Sequence, residues 1–158
     1  MTETATIPDP LAPWARCYER RGWPLPDVLL VGQGELAAVP KRLLAHESDM
    51  TSTLTDYHGT EIGLEVMEVR HEPVEVHREV ILFRRDNRSP VEYGAITIRL
   101  EALPEPVREA VRAGSRPLGG LLVEAGVPFA SQPGPYLCMR ADPHTAETLQ
   151  CAEGSWLY

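Results

Sequence analysis

From Thr60 to Arg70 hydrophobic and polar residues alternate with a period of two. Ile62, Leu64 and Val66 fall on one face while Glu61 and Glu65 fall on the other, the pattern of a half-buried strand. The same period runs from Glu75 to Arg85 and again from Val91 to Leu100. The turn between these two, Arg85-Asp-Asn-Arg-Ser-Pro90, is rich in residues that favour tight reversals. Strands joined so closely pair antiparallel.

On either side of this block the period is helical. Leu36, Val39, Leu43 and Leu44 predict a helix from Glu35 to His46, interrupted or restarted at Pro40. Ser48 or Asp49 is placed to cap a helix from Met50 to Tyr57, with His58-Gly59 as its stop. Leu103, Val107, Ala110 and Val111 form the stripe of a helix opened by Pro104 and closed by Gly114. Ser115 is read as the cap of the next helix, Pro117 to Ala125. A strand from Tyr136 to Arg140 and a helix after Asp142-Pro143 complete the chain, and Trp14 to Tyr18 reads as a short helix. Helices, hairpin strands, helices, strand and helix in that order predict an α+β fold, a mainly antiparallel sheet with flanking helices, rather than alternating βαβ units.

Length and charge narrow the function. At 158 residues the chain suits one domain, expected over residues 14–158, with the proline-rich residues 1–13 as a flexible arm. A net charge of −8 argues against a nucleic-acid partner, because phosphate contacts need clustered Lys and Arg. It also deprives an anionic ligand of long-range attraction, so nearby arginines would have to hold it. No apolar run reaches membrane-spanning length, and the start has no secretory pattern, so a cytoplasmic location is expected. Cys17, Cys138 and Cys151 are expected as free thiols, with a Cys138–Cys151 pair as the alternative. The five histidines show no metal-binding spacing, so no metal is expected.

Two features could carry chemistry. In the strand Glu75 to Arg85, Arg78 shares a face with Val76, Val80 and Leu82. A guanidinium among apolar side chains is unfavourable unless it is paired, and its planar fork suits a carboxylate. The alternatives are a partner within the protein, such as Glu65 or Glu79, or a register that turns this face to solvent. The second feature is Gly114-Ser-Arg-Pro-Leu-Gly-Gly-Leu-Leu122, which sets glycines beside a helix start. Amides at helix starts bind anions and glycine allows close approach, although the same glycines also suit tight helix packing. Arg116 either adds charge there or is solvated.

Taken together, Val76-His-Arg-Glu-Val-Ile-Leu82, the Gly114 to Leu122 segment and Ser48-Asp-Met-Thr51 followed by Leu54 and Gly59 resemble segments of the chorismate lyase family in the same order. The resemblance spans roughly residues 27 to 125. It implies helices around an internal pocket and a cofactor-independent reaction that removes pyruvate from chorismate and leaves 4-hydroxybenzoate. It implies Arg78 as the catalytic anion clamp, Leu118 and Gly119 as substrate contacts with Arg116 beside them, and Met50 as pocket wall. The partner is then a small anionic organic acid, held by a monomer or a homodimer. The family's acid is a glutamate on a later strand, whereas this sequence closes on Gly154-Ser-Trp-Leu-Tyr158 with no match. Either the sequence is cut short, or another carboxylate serves, or the substrate differs. A non-catalytic ligand-binding or regulatory domain of the same fold is the second reading, and an enzyme of specialised metabolism acting on a different acid is the third.

Overall fold

The computed structural model describes residues 9–158. Six helices and six strands follow in the order α1 (Ala12–Arg21), β1 (Val28–Val31), α2 (Ala38–Leu44), α3 (Met50–His58), β2 (Ile62–His71), β3 (Glu75–Arg84), β4 (Pro90–Arg99), α4 (Glu105–Ala113), α5 (Leu118–Glu124), β5 (Tyr136–Arg140), α6 (Pro143–Leu149) and β6 (Trp156–Leu157). Short 3₁₀ turns lie at Gln33–Glu35 and Leu100–Ala102. The α+β class is as expected. The strands, however, form two antiparallel sheets of three, in the orders β2-β3-β4 and β1-β5-β6. A pattern along the chain shows where strands are, but not that β5 pairs with the distant β1.

Local chemistry sets most boundaries. Asp49 caps α3 by accepting from the Ser52 amide at 2.9 Å, and Gly59 ends it with φ of 65°. Asp142 caps α6 by accepting from the Thr145 amide at 2.8 Å. Three expectations need correction. The N-terminal arm does not extend to residue 13, because α1 begins at Ala12 with Pro13 in its first turn, where a missing amide hydrogen is harmless; residues 1–8 lie outside the described ones. The helix expected from Glu35 starts only at Ala38, since Leu36 and Ala37 are extended, and Pro40 falls in the first turn. Ser115 does not cap α5; Pro117 holds that position with no side-chain acceptor. The two-residue β6 was not anticipated, being too short to show a period.

The β2-β3-β4 meander positions the site. Arg78 pairs with Ile96, Val80 with Gly94 and Leu82 with Glu92, and directly opposed residues share a face. One end of that face is covered by a core of Val76, Ile98, Val107, Val111, Leu121 and Leu122, which brings in α4 and α5. The other end is covered by Leu54 of α3 packed with Ile62 and Leu82. The middle of the face, between these cores, is left open. The opposite face receives α1 and α6. No described helix is long and apolar enough to cross a membrane.

Candidate functional site

The uncovered middle of the sheet face forms the floor of a cleft of about 800 Å³. Arg78, Val80, Gly94 and Ile96 supply the floor, the start of α3 and the start of α5 supply two walls, and residues 129–137 run along a third. The volume suits a small organic molecule.

Arg78 is 3% exposed. Its Nη1 donates to the Arg116 carbonyl at 3.1 Å, but among the described residues no carboxylate pairs with it and its buried Nε has no partner. The two internal partners considered from sequence are both engaged elsewhere. Glu65 lies 3.6 Å from Arg88, and Glu79, on the opposite face, binds Arg21 at 2.7 Å. Burial lowers the Arg78 guanidinium from its ordinary value, but arginine keeps its charge at any physiological pH. A buried cation without a counter-ion is expensive, and an incoming anion would relieve it.

Two further buried polar atoms lack partners, His46 Nδ1 and Glu92 Oε2. Together with Arg78 Nε they are the full set of such side-chain atoms among the described residues, and all three residues line this one cleft. Burial raises the Glu92 carboxyl from 4.5 to about 7, so that near neutrality it holds a proton much of the time. Native interiors satisfy nearly all their buried polar groups, and the three exceptions here fall in one cleft.

The other sequence-derived residues are placed as follows. Met50 opens α3 and Leu118 opens α5, and both line the cleft. Gly119 also lines it, and the structure gives this glycine a packing duty as well: a Cβ there would fall 2.6 Å from Asp49 Cβ. Gly120, by contrast, faces open space. Arg116 contributes its backbone carbonyl to Arg78, while its side chain is turned outward to Glu124 and does not line the cleft. Cys17, Cys138 and Cys151 are free thiols. Glu72, Glu75 and His77 come together at the β2–β3 turn, a spacing that the sequence reading did not single out as metal-binding.

Glu92 and His46 were missed. A signal for Glu92 existed: in β4 it shares its face with Ile96 and Ile98, the same anomaly that exposed Arg78 in β3. His46 lies in irregular chain before α3, where no period operates. The long coil before β5 gave no sign of its place beside the cleft.

The polar cluster behind the sheet contrasts with the cleft. Glu79 accepts from Arg21 at 2.7 Å and from the Tyr93 hydroxyl at 2.5 Å, and His144 Nε2 lies 3.2 Å from that hydroxyl. Burial alone would raise the Glu79 carboxyl, but the bonds from Arg21 and Tyr93 outweigh it and hold it below its usual range. Arg21 moves upward correspondingly, chiefly through its bond to Glu79. Tyr18 donates to Asp142 at 2.8 Å nearby. This network is closed on itself.

Compared with models of known protein families and with curated proteins, the chain matches none.

Proposed function

We propose that the cleft binds a small organic acid and that the chain acts on it as a cofactor-independent lyase, with chorismate or a closely related carboxylated metabolite as substrate. The observation that carries this reading is Arg78: a buried guanidinium that opens onto an apolar cleft with no counter-ion of its own. A bound carboxylate would take its free donors in a charge-assisted bond, strengthened by exclusion of water. The mostly apolar surroundings, Val80, Ile96, Leu118 and Leu122, suit a ring or short carbon skeleton.

The lyase assignment rests on the ordered resemblance to the chorismate lyase family together with this cleft. In that reaction the ring-to-oxygen bond breaks and enolpyruvate departs with its electron pair. A neighbouring ring carbon gives up a proton, and the electron pair of that C–H bond completes the aromatic ring. The guanidinium favours the step by stabilising negative charge that grows on the departing group.

Incubating the protein with chorismate and following 4-hydroxybenzoate by ultraviolet absorbance and pyruvate by a coupled assay tests the reading. Wild type is expected to form both in equal amounts. Arg78→Ala is expected to lose turnover by about a hundredfold or more while keeping its circular dichroism spectrum. Wild-type rates in that variant would remove Arg78 from the function. Binding of 4-hydroxybenzoate without any turnover would convert the assignment into a ligand-binding domain.

A further inference from the structure

Arg78 satisfies only one end of the cleft. Four residue steps along the strand take it to the position opposite Glu92, because Arg78 pairs with Ile96 and Leu82 with Glu92. At about 3.3 Å of rise per residue, the two anchors stand about 13 Å apart along the floor. Gly94, between them, has no side chain, and a Cβ added there would meet Glu92 Oε1 at 3.3 Å. The glycine thus keeps the space beside the Glu92 carboxyl clear. Glu92 Oε2 is shut off from water and has no protein partner.

We propose that Glu92 is the proton donor of this site, placed to protonate the ether oxygen of a substrate whose carboxylate is gripped by Arg78. The assignment rests on the small-acid reading of the cleft and adds to it the group that reading lacks. As the bond between ring carbon and ether oxygen breaks, its electron pair moves to oxygen, and the Glu92 carboxyl proton completes the enol hydroxyl. The neighbouring ring carbon releases a proton, directly or through water, which restores Glu92. The enol then tautomerises to pyruvate. Protons and electrons balance without an oxidant, a reductant or a co-reactant.

The setting suits a group that must be neutral before it acts. The titratable and charged residues that line the same two cavities as Glu92 are Arg78 from β3, His46 and Asp49 ahead of α3, Tyr93 beside it on β4, Tyr136 and Cys138 on β5, and Tyr158. None of them bonds to it, and burial is the one cause that raises its carboxyl to about 7. A general acid works best with a value near the working pH.

The test compares wild type, Glu92→Gln and Arg78→Ala for chorismate turnover from pH 5 to 9, for 4-hydroxybenzoate affinity by calorimetry, and for folding by circular dichroism. Glu92→Gln keeps a neutral hydrogen-bond donor of the same shape. It is expected to hold 4-hydroxybenzoate within about threefold of wild type while kcat falls by about a hundredfold or more. Wild-type kcat is expected to decline about tenfold per pH unit above about 7, and residual turnover in Glu92→Gln to lose that inflection. Glu92→Gln turnover within threefold of wild type, a flat wild-type profile, or binding without turnover in wild type would each overturn the donor role and leave the acid-binding reading standing. Unchanged 4-hydroxybenzoate affinity in Arg78→Ala, or no binding by wild type, would overturn that underlying reading instead.

Discussion

Arg78 and Glu79 are neighbours in one strand, both almost fully buried at 3% and 1% exposure, yet they face opposite sides of the sheet and opposite circumstances. Glu79 has an arginine, a tyrosine hydroxyl and a nearby imidazole around it. Arg78 has one backbone carbonyl. A buried charge whose bonds are completed within the protein contributes to holding the fold; a buried charge left incomplete raises the energy of the fold and is kept for something else. The β2-β3-β4 sheet therefore has a face whose buried charge is satisfied and a face whose buried charge is not, the latter being the receptive face of our proposal, and substitutions on the two sides should act with opposite sign.

The largest effect is expected behind the sheet. Glu79→Gln removes the charge that Arg21 pairs with and places an amide where Tyr93 donates. Arg21 is a quarter exposed and keeps Glu68 within 3.7 Å, so the cost comes from weakening the two hydrogen bonds to the buried Glu79 charge, together about 3 kcal/mol; the urea midpoint should drop sharply while 4-hydroxybenzoate affinity of the folded protein stays unchanged. If instead stability held and binding vanished, the division of labour between the two faces would be wrong.

Glu92 gives the receptive face a pH signature. Its carboxyl stands at about 7 in the folded protein against an ordinary value of 4.5. Because the folded value is the higher, the folded state retains the proton over that interval and the unfolded state does not. The stabilisation is full below pH 4.5 and is lost as pH rises through about 7. The interval corresponds to about 3 kcal/mol. Denaturation of Glu92→Gln should lack this loss, and at pH 8 the variant should be the more stable protein. Glu79, held low, contributes in the opposite direction and loses its contribution as pH falls below its usual range. A wild-type curve and a Glu92→Gln curve that run parallel from pH 4 to 8 would show that the Glu92 carboxyl is not buried in its neutral form.

Arg78→Met keeps much of the side chain's volume and removes the uncompensated charge, leaving the Arg116 carbonyl without its donor. The first change outweighs the second, and the variant is expected to gain about 1–2 kcal/mol in stability while losing 4-hydroxybenzoate binding. Thermal unfolding followed by calorimetry checks both halves, and a destabilised variant would mean that Arg78 serves the fold after all.

The receptive face was half legible in the sequence. Period-two alternation located β2, β3 and β4 to within about two residues, and the same alternation made Arg78 conspicuous. Glu92 obeyed the same rule and was overlooked because acids are common in exposed strand positions, so a glutamate in a stripe of isoleucines draws less attention than an arginine. Which face is buried depends on α1 and α6 packing behind the sheet and on the cores contributed by α3, α4 and α5 in front. These contacts join residues far apart in the chain, and periodicity carries no information about them. The pairing of β5 with β1 was hidden for the same reason, as was the place of residues 129–137 beside the cleft.

Gly119 tests which side of the comparison a residue belongs to, with the smallest effect. The sequence placed it with the ligand; the structure also puts it against Asp49, the residue that caps α3. A methyl group at 119 would lie 2.6–2.7 Å from Asp49 Cβ, Cγ and Oδ1, closer than van der Waals contact allows. Gly119→Ala is therefore expected to destabilise by about 1 kcal/mol through crowding, and Asp49→Ala by about 1 kcal/mol through loss of the cap. If packing is the glycine's whole duty, the double variant should be more stable than the sum predicts, since trimming Asp49 to a methyl group removes two of the three crowded atoms and relieves part of the clash. Additive losses, combined with weaker 4-hydroxybenzoate binding in Gly119→Ala alone, would assign the glycine to the ligand.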